Sequence, residues 1–176
     1  MKKNILTYGL ICGLIISVLM AVNLTICSKS GDFDNSILVG YASMIIAFSL
    51  LFVGIKNYRD KYNGGVISFG KAFKVGFFIT LIASTIYVLV WLLEEHFFFP
   101  DFMEKYTAYE INKLQASGIS ATQLANKTKE LEQAKEMYNN PVIKILMTYA
   151  EILPVGLVVT LISSLILKRK TLPANG

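Results

Sequence analysis

Histidine occurs once in this chain, at His96, and cysteine twice, at Cys12 and Cys27. A lone imidazole excludes a multi-histidine metal site, so carboxylates would have to complete any metal centre. The two thiols stand fifteen residues apart; along one helix that is about 22 Å, far beyond disulfide reach. No disulfide framework or thiolate metal site follows. Unpaired thiols are expected, with Cys27 the one placed to pair between chains. The chain lacks an HExxH motif, and residues 64–71, GGVISFGK, do not fit the GxxxxGK[ST] spacing of a phosphate-binding loop. Charge is also scarce: 16% of the 176 residues are charged, against roughly 25% in a soluble domain.

What the chain has instead is apolar length. Apolar residues make up 54% of it, and the mean hydropathy is +0.54. They gather in four runs, residues 5–26, 37–55, 75–93 and 142–167. Each approaches or exceeds the roughly 20 residues that carry a helix across about 30 Å of hydrocarbon. None shows the alternation of a strand, and backbone polar groups in lipid must be satisfied within the segment. The expected fold is all-α: a four-helix polytopic membrane bundle forming a single membrane domain over residues 1–176.

The net charge of +5 reads as topology rather than as affinity for nucleic acid. Lys2, Lys3, Lys56, Arg59, Lys61, Lys71, Lys74, Lys168, Arg169 and Lys170 fall on one side of the four spans, with Asp60 the one acid among them. The other side holds Lys29, Lys105, Lys113, Lys127, Lys129, Lys135 and Lys144 together with most of the acids. Short basic loops mark the cytoplasmic side. Both termini and the central turn are therefore expected on the cytoplasmic side.

The first run, preceded by Lys2-Lys3, is longer than a signal-peptide core, and Ile26 spoils a lipobox at Cys27. A retained helix is expected. Within it Gly9, Gly13, Ser17 and Ala21 recur every fourth residue. Such a stripe lets another helix approach closely, either in this chain or in a second copy.

The central turn, residues 54–76, reads GIKNYRDKYNGGVISFGKAFKVG. Ser68 is placed to cap a helix that starts near Phe69. Arg59, Lys61, Lys71 and Lys74 form a basic edge at headgroup level. They are the candidate contact for anionic lipid, loosely bound or as a phosphate held near a helix start. This turn, the PDFMEKY segment at residues 100–106 and ILPVGLVVTLISSLILKRK at residues 152–170 resemble the DUF4199 family of small four-span membrane proteins found widely in Bacteroidota. The resemblance covers essentially the whole chain, with the Gly-Gly turn and FGKAFK its most specific part. It implies the architecture and an inner-membrane setting, and no activity. At family level it also suggests a polyprenyl-phosphate glycosyltransferase as a neighbour.

Beyond the third run lie Glu94, Glu95 and His96. Adjacent residues on a helix point in different directions, so a polar end-cap followed by an aromatic belt of Trp91 and residues 97–99 is preferred to a metal site. Residues 101–140 form the one sizeable part outside the spans. Phe102, Tyr106 and Tyr109 at i, i+4 and i+7 predict an amphipathic helix to about Gln115. Ser117-Gly118 breaks it, and Ser120 with Gln123 predicts a capping box for a second helix. An outer, periplasmic two-helix hairpin follows. The tail, residues 171–176, is expected to be disordered.

The fourth span carries Glu151, ten residues past Pro141. It is the candidate intramembrane polar site. Hydrogen bonding to Tyr or Ser at the outer rim is preferred to an ion relay, because the first two spans offer no charges. No catalytic constellation, cofactor or metal site is evident. The expected function is a non-enzymatic accessory, scaffold or assembly partner in the inner membrane. Its partners are membrane lipids, another membrane protein or a second copy. The alternatives are a subunit of an oligomeric transporter or channel, with Glu151 lining the path, and a membrane enzyme acting on a lipid-linked substrate.

Overall fold

The computed structural model describes residues 1–170; the expected tail at 171–176 lies outside them. Seven α-helices follow in order: α1 (Lys2–Ser30), α2 (Phe33–Phe48), α3 (Leu50–Asn57), α4 (Phe69–Phe97), α5 (Phe102–Ala116), α6 (Ala121–Tyr138) and α7 (Pro141–Leu167). A π-helical turn, Tyr58–Tyr62, extends α3. Four helical stretches are long and apolar enough to cross a membrane: Lys2–Ser30, Phe33–Tyr62, Phe69–Phe97 and Pro141–Leu167. They mark a multi-pass membrane protein. α5 and α6 form the hairpin at one end of the bundle, and Met1 and Lys168 lie at the other, here called the terminal end.

Each spanning helix runs past its apolar run because its caps lie outside that run. Gly31, with φ 70°, closes α1 by donating to Cys27 O at 2.8 Å. Ser68 caps α4 through Lys71 N, and Asn140 caps α7 through Val142 N and Ile143 N, with Pro141 in the first turn. Ser120 and Gln123 form the full capping box of α6. The second span is broken at Ser49, whose hydroxyl donates to Ile46 O at 2.6 Å.

α4 is the axis of the bundle, packed along α1 on one side and α7 on the other. Small residues set its closest approaches. A Cβ at Gly9 would stand 2.8 Å from Ile82 Cβ, and one at Gly13 would stand 2.7 Å from Ile86 Cδ1. The stripe on α1 is thus filled by α4 of the same chain. Gly9, Gly13 and Ser17 are buried and Ala21 half-buried. Gly76 accepts Thr160 from α7, and Gly156 accepts Thr80 from α4 and Phe48 from α2. The Thr80 and Thr160 hydroxyls, both fully buried, share a hydrogen bond of 3.0 Å.

At the terminal end the central turn clasps the last helix. Gly64 and Gly65 take φ of 64° and 76°, where a side chain would be strained. Buried Arg59 donates through Nη1 to Leu167 O at 3.3 Å and pairs through Nε with Asp60 at 2.6 Å. Ile67 and Arg169 exchange main-chain bonds of 2.9 and 2.8 Å.

Candidate functional site

Toward the hairpin end the bundle opens. There α1, α2, α4, α5 and α7 surround a gap, whereas α3 packs against both α4 and α7. The gap encloses a cavity of about 400 Å³. Ile16 and Met20 of α1 and Met44 of α2 form its buried floor. Tyr87 and Trp91 of α4 form one wall; Phe102, Met103 and Tyr106 of α5 lie across the top. Ile37 and Tyr41 on α2 and Met147 and Glu151 on α7 line it while remaining exposed, so the cavity opens sideways between those two helices.

The hairpin is held over the cavity by aromatic packing and by polar pins. Phe33, at the start of α2, meets Phe102, Tyr106 and Tyr109 with ring centroids 5.9, 5.7 and 5.2 Å away. Each such pair is worth about 1 kcal/mol beyond its buried area. Trp91 Nε1 donates to the Tyr138 hydroxyl at 2.7 Å, and its ring stands edge-on to Phe102 at 5.1 Å. Burial pushes the Tyr138 phenol up to about 12, so it stays protonated. Lys113 pairs with both carboxylate oxygens of Asp34, at 2.6 and 2.7 Å. That partner raises the Lys113 ammonium above the ordinary lysine range.

Lys144 lies one turn into α7, with its ammonium 2.6 Å from Glu95 and 5.0 Å above the Tyr138 ring. Both side chains of this pair are largely buried, at 15% and 16% exposure. Glu95, grouped in the sequence with Glu94 and His96 as an end-cap, therefore ties α4 to α7. His96 is exposed beside Phe97, and one carboxylate oxygen of Glu94 is buried without a partner.

Glu151 is not held to a Tyr or Ser. Among the described residues its carboxylate has no hydrogen-bond or ion-pair partner. The reason is geometric: Tyr149, the nearest tyrosine on its own helix, bonds Thr85 instead at 2.9 Å. The 27 residues of α7 span about 40 Å and Glu151 sits about 15 Å from their start. Glu151 thus lies within a helix long and apolar enough to cross a membrane, nearer its hairpin end.

Of the four basic candidates at the terminal end, Arg59 is buried and bonded as described, while Lys61, Lys71 and Lys74 are exposed, Lys71 donating to Asn63 Oδ1 at 2.5 Å. Both cysteines are free and buried; Cys12 donates to Ala47 O at 3.3 Å. Among the described residues no three His, Cys, Asp or Glu side chains gather as metal ligands.

Sequence reasoning singled out Glu151 but not its surroundings. Asn23 was the overlooked signal: an amide within an apolar run, bonding the Ser36 carbonyl and hydroxyl at 2.9 and 3.0 Å beside the cavity. A family model described as a protein of unknown function, DUF4199, matches residues 7–169. The chain belongs to the DUF4199 family. That match takes in all four spans, the cavity and the hairpin. No curated protein and no solved structure matches the chain.

Proposed function

We propose that this DUF4199 protein is a non-enzymatic accessory protein of the bacterial inner membrane that holds an amphiphile in its cavity. The observation that carries the reading is the cavity's placement: about 400 Å³, apolar at its floor, and open sideways between α2 and α7. That volume lies in the range of small-molecule sites, and an opening at this depth gives access from lipid rather than from water. With cytoplasmic termini, the orientation that the basic loops support, the cavity lies in the outer leaflet under a periplasmic hairpin. Exposed faces of α6 leave room for a membrane partner. A glycosyltransferase is the partner that the family resemblance suggests, and co-purification from the membrane is its test.

Trp91 is the chain's single tryptophan, and it lines the cavity, so its fluorescence reports occupancy. A brominated alkyl amphiphile is expected to quench Trp91 saturably, at low mole fraction in detergent. Ser43→Phe, which fills the cavity from α2, is expected to abolish the saturable part while leaving the protein monodisperse. Quenching that stays linear in probe, or is unchanged by Ser43→Phe, counts against the reading. Glu151 also supports a transporter reading, which gains weight if purified protein carries an ion flux in proteoliposomes that Glu151→Gln removes.

A further inference from the structure

We infer that the ligand of this cavity is a cation: an amphiphile bearing an ammonium or protonated amine, seated against Glu151 and the aromatic wall. The inference rests on the cavity taking an amphiphile at all, and adds its charge. Three observations point the same way.

The first is the charge inventory of the lining. Glu151 is its only carboxylate, and no Lys or Arg lines it. The nearest ammonium on α7, Lys144, is already paired with Glu95 at 2.6 Å and turned toward Tyr138. An anionic headgroup would therefore meet a carboxylate and no countercharge. The second is the solvation of Glu151 itself. A carboxylate within hydrocarbon is costly and is ordinarily paired, yet this one has no partner among the described residues. A ligand cation supplies the missing partner.

The third is the wall. Tyr41, Tyr87, Trp91, Phe102, Tyr106 and Tyr138 all line the space that Glu151 faces. Aromatic faces attract ammonium groups, and cages of them recognise quaternary ammonium. Ile16, Met20 and Met44 at the floor then receive the apolar remainder, methionine adapting to its shape.

Three brominated probes with one chain test this: a quaternary ammonium, its neutral tert-butyl isostere and the corresponding sulfonate. Each is titrated against Trp91 fluorescence of the full-length protein in neutral detergent. The ammonium is expected to bind on the order of tenfold tighter than the neutral probe, and the sulfonate weakest. Glu151→Gln, nearly isosteric, is expected to bring the ammonium down to the neutral probe, and a monodisperse peak with wild-type melting in detergent certifies its fold. Equal binding of cation and neutral probe overturns the inference but keeps an amphiphile site. A cation preference that survives Glu151→Gln overturns it as well. Failure of all three probes to quench saturably removes both readings. Competition by vesicles containing phosphatidylethanolamine, but not by phosphatidylglycerol alone, identifies a lipid headgroup as the cation's source. Absence of competition identifies a free amphiphilic amine.

Discussion

The two halves of this bundle are built from the same four spans and solve opposite problems. In the terminal half, glycine and threonine meet across α4 and α7, and Phe48, Leu51 and Ile55 are fully buried. In the hairpin half the facing residues are aromatic rings, methionines and short polar side chains, and they enclose space. Lipid tails are as apolar as leucine, so helices in a membrane associate by close packing and hydrogen bonds rather than by escape from water. Where the packing is close, the bundle has no room for a ligand. Where aromatic rings and methionines line a gap, it has room and needs other ties.

The largest expected effect comes from breaking the tight half. Gly156→Leu drives a side chain into Thr80 and Phe48, and should destabilise the protein by about 3 kcal/mol. Loss of the monodisperse peak on heating in detergent checks it. Lys144→Met attacks the open half by leaving Glu95 largely buried and unpaired. A cost of about 2 kcal/mol is expected, confined to the hairpin end. Hydrogen exchange should speed in α5, α6 and the start of α7 while Ala72–Val75 amides stay protected. Uniform loss of protection would erase the distinction between the halves.

The smallest effect belongs to the exposed tether between Lys113 and Asp34. Asp34→Asn should speed tryptic cleavage of the hairpin by about twofold. The sign of its pH dependence follows from the raised Lys113 ammonium. The tether is intact below the ordinary lysine value of 10.5 and is lost as pH rises through the higher folded value. Cleavage by a protease active in alkali should therefore accelerate in the wild type and not in Asp34→Asn.

Most of the helical layout was legible in the sequence because its signals are local. Each apolar run reports on one helix, and Ser68 and Ser120 with Gln123 report on residues within one turn. The packing stripe on α1 was legible too, though its partner was not, since nothing in Gly9 or Gly13 names Ile82 and Ile86. The cavity was illegible. It depends on how α1, α2, α4 and α7 come together and on α5 folding back over Phe33, and each joins residues remote in the chain. Glu151 stood out by its cost in a membrane, whereas the Glu95–Lys144 tie did not, because the two are 49 residues apart.

The clasp at the terminal end sets an order in time. Arg59 reaches a carbonyl 108 residues further along, and Ile67 finds its main-chain partner only in Arg169. α7 leaves the ribosome after the three spans it packs against. Until it arrives, Gly76 and Thr80 face an empty groove, and the buried guanidinium lacks its carbonyl. Such long-range closure is slow and leaves the earlier spans waiting. The first three spans thus complete their packing only once α7 has been made, and the insertion machinery must shelter them until α7 locks them.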